Sequence, residues 1–397
     1  MGTSAPIYMD YHATTPVDRA VLEAMLPYFC EKFGNAGSVT HPVGWEAQEV
    51  VDTSRKQIAQ HLGASSKELI FTSGATESNN LALFGLARQK RRKGNHIVSA
   101  QTEHKAILDP LKRLTTERLG VTLLEVGKNG TSEAGRIDLG QLREAIGPDT
   151  FLVTIMAGNN EVGTLEQLAE IGKICNEKGA LFHCDATQVA GKIDLDVKEL
   201  GMHLLSLSAH KIYGPKGVGL LYVSRRAPVV RLEPLFYGGG HENNMRSGTL
   251  NVGGIVGLAK ALELSLQKRE DEERRLFQLR KRLFEGFQRE IPNVILNGPS
   301  LDDPAKRLAG NLNCQFVGVE GQSLMMSMRE LAVSSGSACT AANPEPSHVL
   351  RALGIADDHV RSSLRFGLGR FTTKDEVDRT IVMVAETVER LRQMSCH

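Results

Sequence analysis

The sequence predicts an α/β protein whose central sheet is mostly parallel, followed by a smaller α+β domain. From about residue 68 to residue 250, strand-like apolar runs alternate with helical stretches, which is typical of a parallel sheet covered by helices on both faces. After about residue 255 the pattern changes to a long charge-rich helix, short strands and further helices. We therefore predict an arm over residues 1–15 that completes the small domain, a large domain over 16–255 and a small domain over 256–397.

The predicted elements follow one another in a regular order. Helices are predicted at residues 45–62, 81–92, 267–289, 346–353 and 374–394. Strands are predicted at residues 68–72, 96–100, 121–126, 151–155, 181–184, 204–207, 218–223, 294–296, 311–317 and 363–366. Polar clusters follow five of the strands in the first part. Because open α/β sheets bind ligands outside the carboxyl ends of their strands, these clusters are predicted to converge on one crevice.

The composition argues against several classes of function. Of the 397 residues, 41% are hydrophobic and 23% are charged, as in an ordinary globular protein. A net charge of +1 predicts no broad surface for nucleic acid or an anionic membrane. No stretch reaches the roughly 18 apolar residues of a membrane span, and residues 1–11 lack the features of a secretory signal. The six scattered cysteines favour reduced thiols in the cytoplasm over disulfides or an intrinsic metal site.

A lysine follows the buried strand predicted at residues 204–207. Lys211 stands after small and polar residues and before a glycine–proline turn, and a lysine at the mouth of a buried strand requires a partner or a chemical use. Such a lysine is more often a solvated turn residue, but it can form a Schiff base with an aldehyde cofactor. Pyridoxal phosphate is the usual one, and an acid holds its ring nitrogen. Asp185, directly after a strand, is the candidate acid, with a helix N-cap as the alternative.

Other strand ends carry groups suited to such a cofactor. Residues 73–76 join a strand to a helix, where free N–H groups and the helix dipole favour an anion such as phosphate; a plain N-cap, with Thr76 as the capping residue, is the alternative. Gln188 is a candidate donor to a ring oxygen. His104 ends another strand and is suited to stacking on a flat ring and transferring protons, although a lone histidine is more often structural.

Two kinds of side chain in the C-terminal part are candidates for the reaction itself. Cys339 lies among small and turn-forming residues, which predicts an exposed loop at about 330–347. An exposed thiol is a candidate nucleophile, with an incidental surface thiol as the alternative. Arg365 and Arg370 offer planar forks for a carboxylate, and period-two spacing places Arg361 and Arg365 on one face of a strand; a surface salt bridge is the alternative.

Eleven motifs in this order carry a family resemblance. They are residues 8–16 (YMDYHATTP), 71–79 (FTSGATESN), 102–106 (TEHKA), 159–163 (NNEVG), 185–188 (DATQ), 208–217 (SAHKIYGPKG), 238–242 (GGGHE), 245–249 (MRSGT), 334–340 (SSGSACT), 345–347 (EPS) and 361–366 (RSSLRF). Through them nearly the whole chain resembles the class V aminotransferase-like enzymes. Within that family it resembles the cysteine desulfurases of the NifS/IscS type, group I.

The resemblance implies a fold, a cofactor and a reaction. The fold is the aspartate aminotransferase-like fold (fold type I) of pyridoxal phosphate-dependent transferases, with the cofactor on Lys211. The reaction converts L-cysteine to L-alanine and transfers the sulfur to Cys339 as a persulfide. The remaining roles implied are Asp185 at the ring nitrogen, Gln188 at the ring oxygen, His104 on the ring and in proton transfer, Ala75, Thr76, Ser208 and His210 at the phosphate, Thr249 at the partner subunit's phosphate, and Asn160 and Arg365 at the substrate carboxylate, with Asn160 also touching the cofactor.

The resemblance also implies partners. It implies a homodimer and a sulfur-acceptor protein such as an iron–sulfur scaffold, with Cys339 as a candidate cluster ligand in that complex. The tail over 391–397 departs from the tail with which IscS-type enzymes dock their scaffold, which leaves the acceptor open. The alternatives are a selenocysteine lyase, an aminotransferase of the same fold, and a non-catalytic sulfur-carrier or scaffold subunit.

Overall fold

The computed structural model describes residues 6–90, 93–335 and 346–395. Over these residues the helices are α1 (Arg19–Met25), α2 (Pro27–Cys30), α3 (Pro42–His61), α4 (Ala75–Ala87), α5 (Lys105–Thr116), α6 (Leu139–Ala145), α7 (Leu168–Lys178), α8 (Val252–Gln267), α9 (Arg269–Glu290), α10 (Gly321–Ser327), α11 (His348–Ala352), α12 (Asp357–Arg361) and α13 (Lys374–Ser395). The strands are β1 (Ile7–Tyr8), β2 (Leu69–Thr72), β3 (His96–Ala100), β4 (Gly120–Leu124), β5 (Thr150–Thr154), β6 (Leu181–Asp185), β7 (Leu204–Ser208), β8 (Gly219–Val223), β9 (Val294–Leu296), β10 (Asn311–Phe316), β11 (Leu331–Ala332) and β12 (Ser363–Gly367).

A seven-stranded sheet forms the centre of the larger part. Its strand order is β2-β8-β7-β6-β5-β3-β4, and only β8 runs antiparallel to its neighbours. Strands β5, β7 and β8 are buried along their whole length, because helices cover both faces of the sheet. The predicted α/β fold with a mostly parallel sheet is confirmed. The carboxyl ends of β2, β3, β5, β6 and β7 share one edge.

A smaller antiparallel sheet lies in the C-terminal part. Its strand order is β12-β10-β9, and helices α9 and α13 pack on it. The core between them is centred on aromatic contacts among Phe287, Phe316 and Phe366. Strand β1 pairs with β11 in parallel, and Ile7 and Met9 are buried in the same core. The first described residues therefore pack with the last third of the chain.

Strands β1 and β11 and several helices, among them α5, α6 and α7, were not predicted, and three predicted features differ from the structure. Helix α4 begins at Ala75 rather than residue 81, because its first six residues are small or polar and apolar periodicity is visible only from Leu81. The charge-rich helix begins at Arg269, after a separate helix, α8, that crosses the predicted boundary at residue 255 and packs with the core of the large sheet. Arg361 ends α12, so it does not share a strand face with Arg365.

Among the described residues, no helix is both long enough and apolar enough to span a membrane.

Candidate active site

A cavity of about 580 Å³ opens at the carboxyl edge of the large sheet. Parallel strands deliver their last residues to the same edge, which is why side chains from distant segments meet there. Ten of the site residues predicted from the sequence line this cavity: Ala75, Thr76, His104, Asn160, Asp185, Gln188, Ser208, His210, Lys211 and Arg365.

Lys211 reaches into the cavity from the short turn after β7. Its ammonium Nζ donates hydrogen bonds to the backbone carbonyls of His12 and Ala13, at 2.6 Å each. The next-door His210 lies with its Nδ1 3.1 Å from the Thr14 hydroxyl. Burial, together with the charges of Lys211 and Lys216, lowers the pKa of His210 to about 4, so His210 is neutral at pH 7. Residues 12–14 of the N-terminal segment therefore hold Lys211 and His210 in place by hydrogen bonds.

Asp185 ends β6 and presents a buried carboxylate to the cavity. Its Oδ2 accepts a hydrogen bond from the Asn79 amide at 2.7 Å, and its Oδ1 accepts one from the Thr187 backbone N–H at 3.0 Å. These neutral donors fix the orientation of the carboxylate without neutralising its charge. Asn79 is itself fully buried on α4. Asn79 lies in the motif over 71–79, but its role is not visible in the sequence because 106 residues separate it from Asp185.

The first turn of α4 faces the cavity without a side-chain cap. Its N-cap is Gly74, at φ +153°, so the predicted alternative of Thr76 as a capping residue is wrong. Only glycine adopts this backbone conformation readily, and a side chain on the adjacent Gly219 would lie 2.5 Å from the Gly74 Cα. The turn therefore presents backbone N–H groups and the positive end of the helix dipole, which suit a phosphate.

His104 is the N-cap of α5. Its Nδ1 accepts a hydrogen bond from the Ala106 backbone N–H at 3.0 Å. Because Nδ1 acts as the acceptor, the proton of the neutral imidazole lies on Nε2. His104 therefore has a structural role as a helix cap, which was the alternative to a role at the cofactor. Its ring also lines the cavity.

Arg365 projects from β12 into the cavity wall and is 1% exposed. Its Nη2 lies 2.6 Å from the Asp10 carboxylate, and its Nη1 donates to the backbone carbonyl of Asn160 at 3.1 Å. Its buried Nε has no hydrogen-bond partner within the described residues. The fork therefore retains N–H groups for a second carboxylate. Arg370 does not line this cavity and instead pairs with Asp18 and Glu272.

Two of the residues to which the family resemblance assigns a role are not among those that line the cavity. Thr249 is exposed, three residues after Arg246, whose ion pair with Glu77 joins this segment to α4. Cys339 lies outside the described residues. The described part of the chain contains no cluster of three histidine, cysteine or acidic side chains suited to a metal ion.

Glu103 is a buried carboxyl group that sequence reasoning missed. One oxygen accepts a hydrogen bond from the Met156 backbone N–H at 2.6 Å, and the other has no partner among the described residues. Burial, with the nearby Asp185, raises the pKa of Glu103 well above its usual value, which favours the protonated form of this carboxyl group. The only signal available was its place in the motif over 102–106.

These features fit pyridoxal phosphate. The cavity combines an amine on Lys211, a buried carboxylate on Asp185, an uncapped helix start at Ala75 and an arginine fork at Arg365. They match, in turn, an aldehyde, a protonated ring nitrogen, a phosphate and the carboxylate of an amino acid. This set of groups is suited to an enzyme that transforms amino acids with the help of pyridoxal phosphate.

Comparison with known proteins agrees with this class. The family model "Aminotransferase class-V" matches residues 7–380, and the chain belongs to that family. Cysteine desulfurase IscS from Anaeromyxobacter sp. (strain Fw109-5) is 54% identical over 390 residues, which are 98% of this chain and 94% of that protein.

Solved structures show the same similarity. A NifS-like protein superposes with a TM-score of 0.88 at 34% identity, covering 97% of this chain and 100% of that one. A structure described as SspA in complex with cysteine superposes with a TM-score of 0.78 at 36% identity, covering 92% and 99% of the two chains.

Proposed function

We propose that this protein is a pyridoxal phosphate-dependent cysteine desulfurase, which converts L-cysteine to L-alanine and retains the sulfur as an enzyme-bound persulfide. The single observation that carries the proposal is the meeting of Lys211, Asp185 and Arg365 at one cavity, in a chain about half identical to a cysteine desulfurase. The alternative of a selenocysteine lyase is not favoured by these relatives. Retention of all three side chains speaks against a non-catalytic scaffold.

The cofactor supplies an electron sink for the negative charge that forms when a bond at the substrate α-carbon is broken. Lys211 would hold it covalently. Asp185 would keep the ring nitrogen protonated, and its orientation is supported by the bonds from Asn79 and Thr187. Gln188 would donate to the ring oxygen. The phosphate would bind at the start of α4 through Ala75 and Thr76, together with Ser208 and His210.

The substrate would be held by its carboxylate. Arg365 is buried and already oriented by Asp10 and by the Asn160 carbonyl, so little side-chain entropy is lost when it binds an anion. The Asn160 side chain would complete the carboxylate site. Lys211, once released, would take the α-proton. His104, which carries its proton on Nε2, would stack on the ring and exchange protons with the reacting groups.

Cys339 would receive the sulfur. Its thiolate attacks the substrate sulfur, so the carbon–sulfur bond breaks as a sulfur–sulfur bond forms. The substrate carbon is reduced and protonated to give alanine, and the thiol becomes a persulfide, so no external oxidant is needed. The acceptor would be a second protein, such as an iron–sulfur scaffold, in whose complex Cys339 is a candidate cluster ligand.

The enzyme would act as a homodimer. Support comes from large apolar side chains that remain exposed along α1 to α3, among them Phe29, Phe33 and Trp45 at 57%, 70% and 55%. The exposed Thr249 would reach the phosphate site of the partner subunit. Sedimentation equilibrium tests this assembly, and a monomer at micromolar concentration would contradict it.

Domain division and compartment follow the same proposal. The arm at 1–15 would complete the small domain at 256–397, as the pairing of β1 with β11 supports. The large domain would span 16–255. Cytoplasmic location is supported by four free cysteines among the described residues. Cell fractionation tests the location.

The test of this function is product analysis with the reconstituted enzyme. We expect L-alanine and sulfide in equal amounts from L-cysteine in the presence of a thiol reductant. Pyruvate in place of alanine would indicate elimination chemistry. Turnover of L-selenocysteine with no turnover of L-cysteine would overturn the proposal in favour of a selenocysteine lyase.

A further inference from the structure

His12 is a buried residue that lines the cavity. It lies in the motif over 8–16, but no role for it could be predicted from the sequence. It follows strand β1 in the N-terminal segment, is 4% exposed, and lines the main cavity beside Lys211. It also borders a smaller cavity of about 90 Å³ behind that lysine. Its ring forms a hydrogen bond with the side chain of Gln188, although 176 residues separate the two.

Two hydrogen bonds join His12 to Gln188. The Gln188 Nε2 donates to the His12 backbone carbonyl at 3.0 Å, and the Gln188 Oε1 lies 3.0 Å from the His12 Nδ1. A carbonyl oxygen only accepts, so the amide nitrogen has to face it and the amide oxygen has to face the ring. Nδ1 therefore carries the proton and donates it to Oε1.

This tautomer leaves the other ring nitrogen of His12 as an acceptor. His12 Nε2 is buried and has no hydrogen-bond partner among the described residues. Burial, followed by the positive charges of Lys192, Arg365 and Lys211, lowers the pKa of His12 well below its usual value, while the bond to Gln188 opposes that shift. The lowered pKa favours the neutral ring, in which Nδ1–H donates to Gln188.

The same arrangement decides what Gln188 offers to the cavity. Its oxygen is occupied by the His12 ring, and one N–H is occupied by the His12 carbonyl. The remaining polar group on this cavity-lining side chain is the second N–H of Nε2. An amide that rotated by 180° would place two oxygens together at the His12 carbonyl and two N–H groups together at the ring Nδ1, so the carbonyl and the ring of His12 both exclude the orientation that would present an acceptor.

We propose that His12 is a positioning residue that locks Gln188 as a hydrogen-bond donor toward the anionic ring oxygen of the cofactor. This inference rests on the proposed function, because it requires pyridoxal phosphate in the cavity. A hydrogen-bond donor at the ring oxygen stabilises the negative charge of that oxygen. The oxygen then attracts less strongly the proton that it would share with the Lys211 nitrogen, and the pKa of this proton falls. Replacing the His12 ring removes the donor to Gln188 Oε1 and leaves the amide held by the backbone carbonyl alone. The amide N–H is then held less firmly toward the ring oxygen, and the bound cofactor gives up its proton at a higher pH.

The test is a pH titration of the absorption band of the reconstituted protein, with the dissociation constant of pyridoxal phosphate as a second readout. For His12→Ala we expect the midpoint of the titration to rise by about one pH unit and cofactor binding to weaken about tenfold. His12→Asn should restore both values, because its amide N–H can occupy the place of Nδ1–H. His203→Asn removes another buried histidine, which does not line the cavity, and serves as the matched control with an unchanged midpoint.

A double variant distinguishes positioning from a general loss of structure. Because His12 acts through Gln188, the midpoint of His12→Ala/Gln188→Leu should equal that of Gln188→Leu alone. His12→Phe, which keeps a ring of similar size without the donor, replaces His12→Ala if the latter does not fold. An unchanged midpoint in a folded variant that lacks the donor overturns the inference while the proposed function stands. A wild type that binds no pyridoxal phosphate overturns both.

Discussion

Arg365 and Asp10, 355 residues apart in the chain, form an ion pair in the wall of the cavity with 2.6 Å between Nη2 and Oδ1. The arginine side chain is 1% exposed and that of the aspartate is 17% exposed. A buried guanidinium without a counter-ion is strongly unfavourable, so Asp10 stabilises the ligand-free protein. In the proposed reaction the substrate carboxylate joins Asp10 on the same fork.

Asp10→Asn should therefore destabilise the ligand-free protein and make it more responsive to carboxylates. We expect the free energy of unfolding to fall by about 2 kcal/mol at pH 7. Part of this loss should be recovered by 3-mercaptopropionate, which has the thiol and carboxylate of cysteine but no amine. Urea unfolding followed by circular dichroism measures both effects.

Asp18→Asn is the matched control for that experiment. Asp18 pairs with the buried Arg370 at 2.7 Å, and neither residue lines the main cavity. Its loss of stability should not be recovered by the carboxylate probe. Equal recovery in both variants would show that the probe stabilises the protein elsewhere and that Arg365 is not the carboxylate site.

Lys211 should be the attachment point of the cofactor. Borohydride treatment of the reconstituted wild type should add the reduced cofactor to the peptide that contains Lys211, as measured by mass spectrometry. Lys211→Arg keeps the charge but has no amine that can bond to an aldehyde, so it should show no adduct. Lys216→Arg, which changes a second lysine in the same cavity, should retain the adduct on Lys211. An adduct on the Lys216 peptide would contradict the assignment.

Asp185→Asn should lower the rate of alanine formation at least a hundredfold, because a neutral amide does not hold the ring nitrogen protonated. The new amide group would also meet the N–H donors of Asn79 and Thr187, which weakens cofactor binding.

Glu166→Gln provides the comparison. Burial raises the pKa of Glu166 to about 8, so this carboxyl is already largely neutral at pH 7, and it does not line the cavity. Its turnover number should match that of the wild type. A similar loss in both variants would indicate that removal of any buried carboxyl group damages the fold.

His203 should contribute a measurable part of the acid sensitivity. Burial, with the charge of Arg226, lowers the pKa of His203 to about 4. The unfolded chain, with a histidine pKa near 6.5, binds the proton at higher pH than the folded protein does. The stabilisation is therefore complete above about pH 6.5 and is lost as the pH falls toward 4.

Replacement of His203 isolates this effect. At about pH 5.5 the wild type should have lost about 1 kcal/mol, relative to pH 7.5, that His203→Gln does not lose. Urea unfolding at both pH values measures the difference. His61→Gln, a change on the exposed end of α3, should lose stability with pH in parallel with the wild type. Parallel pH dependence of His203→Gln and the wild type would contradict the assigned shift.

Local pattern was sufficient to predict the strands of the seven-stranded and three-stranded sheets and the residues at their ends, because burial and turn chemistry depend on neighbouring positions. It did not predict the short strands β1 and β11. Asp185, Lys211 and His104 were found in this way, and the structure brings them to one cavity. Pairing across the chain was not predictable from local pattern. The bonds of Gln188 to His12 and of Arg365 to Asp10 depend on an N-terminal segment that returns to strands far away in sequence.

Arg370 is a predicted carboxylate-binding residue whose actual contacts could not be predicted from local sequence either. Its sequence environment resembled that of Arg365, so both were candidates for a ligand carboxylate. In the structure its guanidinium is occupied by Asp18 and Glu272 and lies over the Tyr213 ring, 4.0 Å from the centroid. Only the folded arrangement distinguishes an arginine that faces a cavity from one that is saturated by its own chain.

The most direct test of the central claim is the release of alanine from L-cysteine, with a thiol reductant, by the wild type, Cys339→Ala and Cys30→Ala. Cys30 is an exposed cysteine with no place in the mechanism. We expect the wild type and Cys30→Ala to form alanine at equal rates and Cys339→Ala to lose at least a hundredfold, because the sulfur then has no thiolate to attack it. Equal rates for Cys339→Ala and the wild type would contradict the persulfide mechanism, and no alanine from the wild type would contradict the function itself.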